Sequence, residues 1–320
     1  MEWHTKEEAE TTKKYGTIPE KRPTEQLLKQ SFVLIDKPHG PTSNQVTSWI
    51  KKELNLKKAG HFGTLDPNAH GILPIGINQG TKISKTLSKT SKTYIFEAHL
   101  QKIQNKTQKE IRETLQTFQG TNKQTPPKKS AVKREERERE IYNIELIEKN
   151  GNKILGKVHC ESGFYVRTLI QQLSEKLDTK GEMEELRRTQ QGPFKEQEIH
   201  TIQDLVDAYH YYKQDNQPEK LREILQPIEK AVQHIPKIAI KDSAVNAVAN
   251  GAQLGTQGIS KLQHPIQKND TVAITTLKGE LVALAQAQMT SEQMYDQEGT
   301  AATLQNVYMK PETYPKRWKQ

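Results

Sequence analysis

The chain has 320 residues, with 48 Lys and Arg against 39 Asp and Glu, giving a formal net charge of +9. Apolar residues make up 33% of it, and the 18 glycines do not raise that to the ~45–50% usual for compact soluble chains. No run approaches the ~18–20 apolar residues of a membrane span, no N-terminal hydrophobic stretch suggests a secretory signal, and a single cysteine, Cys160, excludes an intramolecular disulfide and any zinc site built from several thiolates. These features predict a soluble, intracellular, basic chain, and its length favours two domains.

Residues 1–30 are polar and charge-rich and read as an N-terminal extension. Phe32 to Ile35 then look like a buried strand, closed by the turn from Asp36 to Pro41. Ser43 is placed to cap a helix through Leu54, with Val46, Trp49, Ile50 and Leu54 on one face. Residues 60–80 hold five glycines and two prolines and read mostly as loop. Tyr94, Phe96, Ala98 and Leu100 occupy alternate positions, which is strand periodicity. A weak helix over 107–118 leads into a Pro- and Lys-rich loop at 121–130. Strand-like runs at 141–147 and 153–160 flank Asn150-Gly151, a hairpin signal. Helices are expected from Thr168, over 201–213, and over 218–226 with Pro218 in its first turn. Beyond Pro236 a short Ala/Val helix at 242–250 can end at Gly251. Val272–Ile274 and Leu281–Leu284 then make a hairpin across Lys278-Gly279. This is the texture of a β-barrel-like module of about 75 residues, with its boundary near 230–236.

Charge is unevenly spread. Residues 51–140 hold 19 Lys/Arg and 9 Asp/Glu, whereas the rest of the chain is close to neutral. Lys82, Lys85, Lys89 and Lys92 recur every three or four residues with no acid between them. A second cluster runs from Lys123 through Lys128, Lys129, Lys133 and Arg134 to Arg137 and Arg139, diluted by glutamates. Such patches are either solvated faces or surfaces that track phosphates.

The most distinctive segment is Gly60-His61-Phe62-Gly63-Thr64-Leu65-Asp66-Pro67-Asn68-Ala69-His70-Gly71. Local rules read it as a glycine-rich turn begun by Asp-Pro. His61, Asp66 and His70 fit no standard metal-ligand spacing, and no Gly-x-Ser-x-Gly elbow supports a hydrolytic triad. What remains is one carboxylate on a turn within the most basic part of the chain.

GHFGTLDPNAHGILP resembles the catalytic motif of the TruB family of pseudouridine synthases, in its archaeal and dyskerin-type version. DKPHGPTSNQV at 36–46, KTY at 92–94, TPPKKSAVKR at 125–134, CESGFYVRTL at 160–169 and LRRTQQGPFKE at 186–196 are similar to further family segments in family order. IPKIAIKDSAVNAVANGAQL and DTVAITTLKGELVALAQAQMTSEQM resemble the PUA RNA-binding domain of that group. The resemblance implies an α+β catalytic domain over 31–235, built on a mixed, mainly antiparallel sheet with flanking helices. It also implies a small PUA domain over 236–310 with a tail over 311–320, and an extension at 1–30 docked on that domain.

The implied reaction breaks the C1′–N1 bond of uridine, turns the base and rejoins it through C5, with neither cofactor nor metal. The resemblance makes Asp66 the catalytic aspartate, as nucleophile, base or electrostatic stabiliser. Arg167 would pair with Asp66, and Tyr94 would stack on the flipped base and serve late proton transfer. His61, Thr64, Leu169 and Lys92 would contact the substrate nucleotide. Lys82, Lys85, Lys89, Lys133 and Arg134, with Gly251, Gly255 and Gly258 of the PUA groove, would hold RNA. The implied partners are an H/ACA guide RNA, a substrate rRNA or tRNA, and three small accessory proteins. These are a zinc-ribbon-type nucleolar protein, a glycine-arginine-rich-family protein and a kink-turn-binding ribosomal-type protein, the last mainly through RNA. No membrane is involved, and the expected location is the cytoplasm, or the nucleolus in a eukaryote. The alternatives are a stand-alone synthase acting on the tRNA T-loop and a non-catalytic RNA-binding scaffold. Gly76 and Gly80, and His99-Leu100-Gln101-Lys102 after the Tyr94 strand, depart from the family pattern.

Overall fold

Alternating apolar runs in the middle of the chain assemble into one mixed sheet. The computed structural model describes residues 1–125 and 135–316. They form two compact units, Ser31–Leu225 and Met1–Gln30 together with the chain from Gln226 onward.

In the first unit the strands lie in the order Gln30–Lys37, Ala69–Asn78, Gly181–Gln191, Lys92–Leu100, Lys153–Cys160, Arg137–Asn150 and Gly120–Gln124. Ala69–Asn78 runs parallel to Gly181–Gln191, and the pairs that follow are antiparallel. The sheet is therefore mixed and mainly antiparallel, as expected. Alternation along Lys92–Leu100 buries Phe96, Ala98 and Leu100 completely, against Leu169, Ile170 and Leu173 of the Val166–Lys176 helix. Each large side chain buried in this way contributes about 1.5–3 kcal/mol.

Several local expectations change. Thr42, not Ser43, caps the Ser43–Glu53 helix, through a capping box with Gln45, and Trp49 of the expected apolar face is exposed. Residues 59–78 are not mainly loop, because strands Ala59–His61 and Ala69–Asn78 pair there. The glycines that read as breakers instead permit close packing. A Cβ at Gly71 (φ +96°) would lie 2.3 Å from the Arg188 carbonyl oxygen, and one at Gly80 would lie 1.9 Å from that of Ser31. Residues 120–124 form a strand rather than loop, and Pro218 sits at the N-cap of helix Glu219–Ile224. The remainder of the expected Lys-rich loop, with Lys128, Lys129, Lys133 and Arg134, lies outside the described residues.

In the second unit the sheet order is Glu2–Thr5, Ile259–His264, Lys237–Ile240, Thr271–Thr276, Leu281–Ala287, Thr300–Val307 and Leu254–Gly255. The N-terminal residues supply its first strand, pairing Trp3 with Gln263 and Thr5 with Lys261. Buried carboxylates hold the segment that follows. Asp242 accepts from Thr11 Oγ1 and the Thr12 N–H, and Glu280 accepts from the Thr17 N–H. Arg22 donates twice to Glu229, at 2.8 and 3.0 Å. Glu229 also accepts from the Leu281 N–H, which draws residues from Gln226 into this unit, ahead of the change in texture at Pro236.

Candidate active site

The turn between Ala59–His61 and Ala69–Asn78 is anchored by its apolar residues. Phe62, Leu65 and Ala69 are buried, which leaves Thr64 and Asp66 on the exposed side. Four polar side chains from other elements then hold its backbone. Ser43, freed from capping, uses its Oγ both to donate to the Leu65 carbonyl and to accept from the Leu65 N–H, at 3.0 and 2.9 Å. Lys37, fully buried on the first strand, donates to the carbonyls of Pro38, Pro67 and Ala69 at 2.9, 3.2 and 2.6 Å. Arg188 donates to Gly63 and Ile72, and Gln191 to Phe62 and Leu87. Burial pushes the Lys37 ammonium down to about 8, while the Asp66 charge pulls the other way.

Arg167, at the second position of the Val166–Lys176 helix, donates through Nη2 to Asp66 Oδ2. The two side chains are 36% and 52% exposed, and a pair that open adds only about 0–1 kcal/mol to stability. Its value lies in aiming the carboxylate. Tyr94 is half-buried on the strand beside Gly181–Gln191, paired with Arg188, and Phe96 pairs with Leu186 two residues on. Tyr94, Leu186 and Arg188 therefore share one face of the sheet, and the Asp66 charge acts on Tyr94. Burial raises the Tyr94 hydroxyl above its ordinary value, and the Arg188 guanidinium opposes that rise. His61 has its pKa lowered by burial and then by Arg188. Its Nε2 lies 3.1 Å from Asn44 Oδ1, and its buried Nδ1 has no partner among the described residues.

Two expected substrate contacts are placed differently. Lys92 is 5% exposed and donates to the carbonyls of Ser88 and Thr90 at 2.6 and 2.5 Å, so it is committed to closing a turn. Leu169 is 0% exposed in the core, whereas Leu186 keeps 8% exposure on the face that carries Tyr94. Lys82, Lys85 and Lys89 are exposed on the turn Gln79–Ile83 and the Ser84–Ser88 helix that follows. Among the described residues no three His, Cys, Asp or Glu side chains converge on a metal-sized site, and no helix is long and apolar enough to cross a membrane.

Residues 51–166 match the TruB family pseudouridylate synthase N-terminal domain, and 167–233 match the tRNA pseudouridylate synthase B C-terminal domain. Residues 236–307 match the PUA domain, and 1–47 match the DKCLD (NUC011) domain. The probable tRNA pseudouridine synthase B of Pyrococcus abyssi is 46% identical over 314 residues, covering 98% of this chain and 93% of that protein. The chain belongs to the TruB family of pseudouridine synthases. Its counterpart from Archaeoglobus fulgidus is 44% identical, covering 99% of this chain and 97% of its own. The crystal structure of a Cbf5–Nop10–Gar1 complex contains a chain that superposes with a TM-score of 0.91 at 45% identity, over 98% of this chain and 96% of that one. The structure of an H/ACA ribonucleoprotein bound to a substrate RNA containing 2′-deoxyuridine gives 0.92 at 43%, over 99% and 97%.

Of the residues expected to act in a TruB-family enzyme, Asp66 and Arg167 are ion-paired and the Asp66 charge reaches Tyr94. Sequence reasoning missed Ser43, Lys37, Arg188 and Gln191 as supports of the turn. In the PUA domain, Gly251 (φ +97°) has open space where a Cβ would stand, and Gly255 meets only the Gly299 carbonyl at 3.6 Å. A Cβ at Gly258 would instead lie 3.1 and 3.2 Å from side-chain atoms of Ala244 and Leu254. Gly251 and Gly255 thus leave backbone open to a ligand, and Gly258 serves packing.

Proposed function

We propose that this pseudouridine synthase isomerises uridine in rRNA, and in tRNA, as the catalytic subunit of a guide-RNA-directed H/ACA ribonucleoprotein, with Asp66 as its catalytic carboxylate. The observation that carries the reading is the ion pair of Asp66 with Arg167, half-open to solvent on a turn that several buried side chains immobilise. A carboxylate held this way suits the anomeric centre of uridine. It can add covalently, remove a sugar proton, or stabilise positive charge as the C1′–N1 bond breaks. Tyr94 offers a ring for stacking and a hydroxyl for proton transfer at C5, and His61 and Thr64 lie on the same segment as Asp66. A base inside a helix must be extruded to reach this position, at a cost that stacking offsets.

Near-full-length likeness to chains in H/ACA assemblies supports the guide-directed setting. The partners would be a guide RNA read mainly through shape and backbone, the Nop10 and Gar1 proteins, and a kink-turn-binding protein reached mainly through RNA. Lys82, Lys85 and Lys89 would meet phosphates, as would Lys133 and Arg134, and the Gly251–Gly255 region would hold the guide's end. The cytoplasm is the compartment of an archaeal-type assembly. The names of the relatives favour a second reading, a tRNA enzyme that needs no guide.

Release of tritium from C5 of labelled uridine separates these readings. The protein is assayed on tRNA alone, and again with guide RNA and accessory proteins. Stimulation by the guide supports the first reading, and full release from tRNA with no gain from a guide supports the second. Asp66→Asn should lower the rate about 10³-fold or more while folding normally. An undiminished rate would overturn the assignment of Asp66.

A further inference from the structure

Arg188 is the largest side chain among the fully buried residues, at 1% exposure. Its Nε donates to the Ile72 carbonyl at 2.8 Å and its Nη2 to the Gly63 carbonyl at 3.0 Å, and Tyr94 stands directly opposite it in the strand register, on the same face of the sheet. No carboxylate pairs with it among the described residues. A buried charge without a counter-ion is costly, and bracing two carbonyls requires donors but no charge. The preceding residue of the same strand offers the contrast. Arg187, pointing to the opposite face, is paired with both Asp36 and Glu196.

The field of Arg188 falls on four titratable neighbours. Lys37, Lys92 and His61 are all made harder to protonate by it, whereas Tyr94 is the neighbour whose ionised form it favours. The other groups acting on the Tyr94 hydroxyl are Asp66 and the buried Cys160, both of which oppose its ionisation.

We propose that Arg188 is a positioning residue for the isomerisation, acting through Tyr94: it fixes the hydroxyl over the sheet and stabilises the phenolate that removes the proton from C5. This rests on the reading of Tyr94 given above. In that step the new C1′–C5 bond is already formed. The C5–H bond breaks, its proton passes to Tyr94 Oη, and its electron pair restores the C5–C6 double bond. Tyr94 enters as phenolate, having given its own proton to solvent, and leaves as phenol. N1, released from the sugar, takes up a proton from water, so the step is balanced without an oxidant or cofactor.

The test measures single-turnover pseudouridine formation as a function of pH for Arg188→Lys, which keeps the charge but not the fork, and for Arg188→Met. Both are also made in a Tyr94→Phe background. With Tyr94 present, Arg188→Lys should slow the reaction on the order of 10²-fold and move the alkaline rise to higher pH, with substrate affinity unchanged. In the Tyr94→Phe background each change should slow it clearly less, the remaining loss coming from the braces on Gly63 and Ile72. Equal losses in both backgrounds, or an unmoved pH profile, overturn the proposal. Full activity of Tyr94→Phe alone overturns instead the underlying reading of Tyr94. The unaltered protein provides a measurement that survives misfolding of the variants. Tyr314 is also buried, but donates to the Glu280 carboxylate, which with burial drives its pKa upward. With tyrosine labelled at Cζ, Tyr94 should titrate below Tyr314 by NMR, and the reverse order overturns the proposal.

Discussion

The two units bury opposite charges, for different ends. In the first unit Lys37 and Arg188 brace the Asp66 turn and Lys92 closes the turn at Ser88–Thr90, cations whose donors are taken up by backbone carbonyls. In the PUA-containing unit the buried ionisable groups include Asp242 and Glu280, and their acceptors are taken up by the N-terminal segment and by Tyr314. Buried cations thus shape a functional turn, and buried carboxylates fasten a chain terminus. Carbonyl oxygens along a turn call for donors with reach, which Lys and Arg supply. The N–H and hydroxyl groups of an incoming segment call for acceptors, which Asp and Glu supply.

The comparison is broken most sharply at Lys37. Lys37→Met removes the donor from three carbonyls, two of them within the Asp66 turn. It should destabilise the protein by about 3 kcal/mol in urea denaturation and also slow single-turnover catalysis. A loss of stability with catalysis intact would reduce Lys37 to a core residue. Lys92 gives a related test through pH. Burial lowers its pKa from 10.5 to about 7, so between those values the unfolded chain binds the proton and the folded chain does not. Stability must then rise with pH through that window. Measured against Lys92→Met, the gain should approach about 2 kcal/mol once relaxation around the charge is allowed for. A difference that shrinks as pH rises would contradict the assignment.

Such supports explain why the fold was more legible than the site. The strands around Phe32 and Tyr94, the Asn150-Gly151 hairpin and the 242–250 helix follow from apolar period and turn chemistry. Gly181–Gln191 escaped because its inward face carries Leu186 and an arginine, while its outward face carries Arg187 in ion pairs, so no apolar alternation marks it. Ala69–Asn78 escaped because its glycines read as loop signals, although Gly71 and Gly76 make room for the Arg188 carbonyl and the Phe62 ring. Asp66, Tyr94 and Arg167 were reachable through motif resemblance. Lys37, Arg188 and Gln191 were not. Apart from Pro38 beside Lys37, their partners are carbonyls 30 to 129 residues away, a pairing that local pattern does not announce.

On the anionic side, Glu280→Gln should cost about 1–2 kcal/mol. It weakens the contacts to Thr17, Tyr314 and the more distant Arg22. Hydrogen exchange should quicken across residues 11–22, while the single-turnover rate on a bound substrate stays constant. A fall in that rate would show that the two kinds of buried charge do not divide the labour as described.

The smallest effect isolates position from chemistry, because one local device occurs in both units. Thr42 caps Ser43–Glu53 with Gln45, and Thr290 caps Ser291–Asp296 with Gln293, by the same reciprocal hydrogen bonds. Replacing either threonine by alanine should cost about 1 kcal/mol, and the two denaturation midpoints should fall by similar amounts. The next residue differs in what it holds. Ser43 grips both the N–H and the carbonyl of Leu65, one position before Asp66, whereas Ser291 Oγ accepts from the Ile266 N–H beside His264. Fraying the first helix loosens the Asp66 turn, and fraying the second loosens only its own unit. Thr42→Ala should therefore slow single-turnover isomerisation several-fold, on the scale that about 1 kcal/mol permits, and Thr290→Ala should not. Equal rates for the two variants would mean that the Ser43 clamp holds the Asp66 turn without help from its helix.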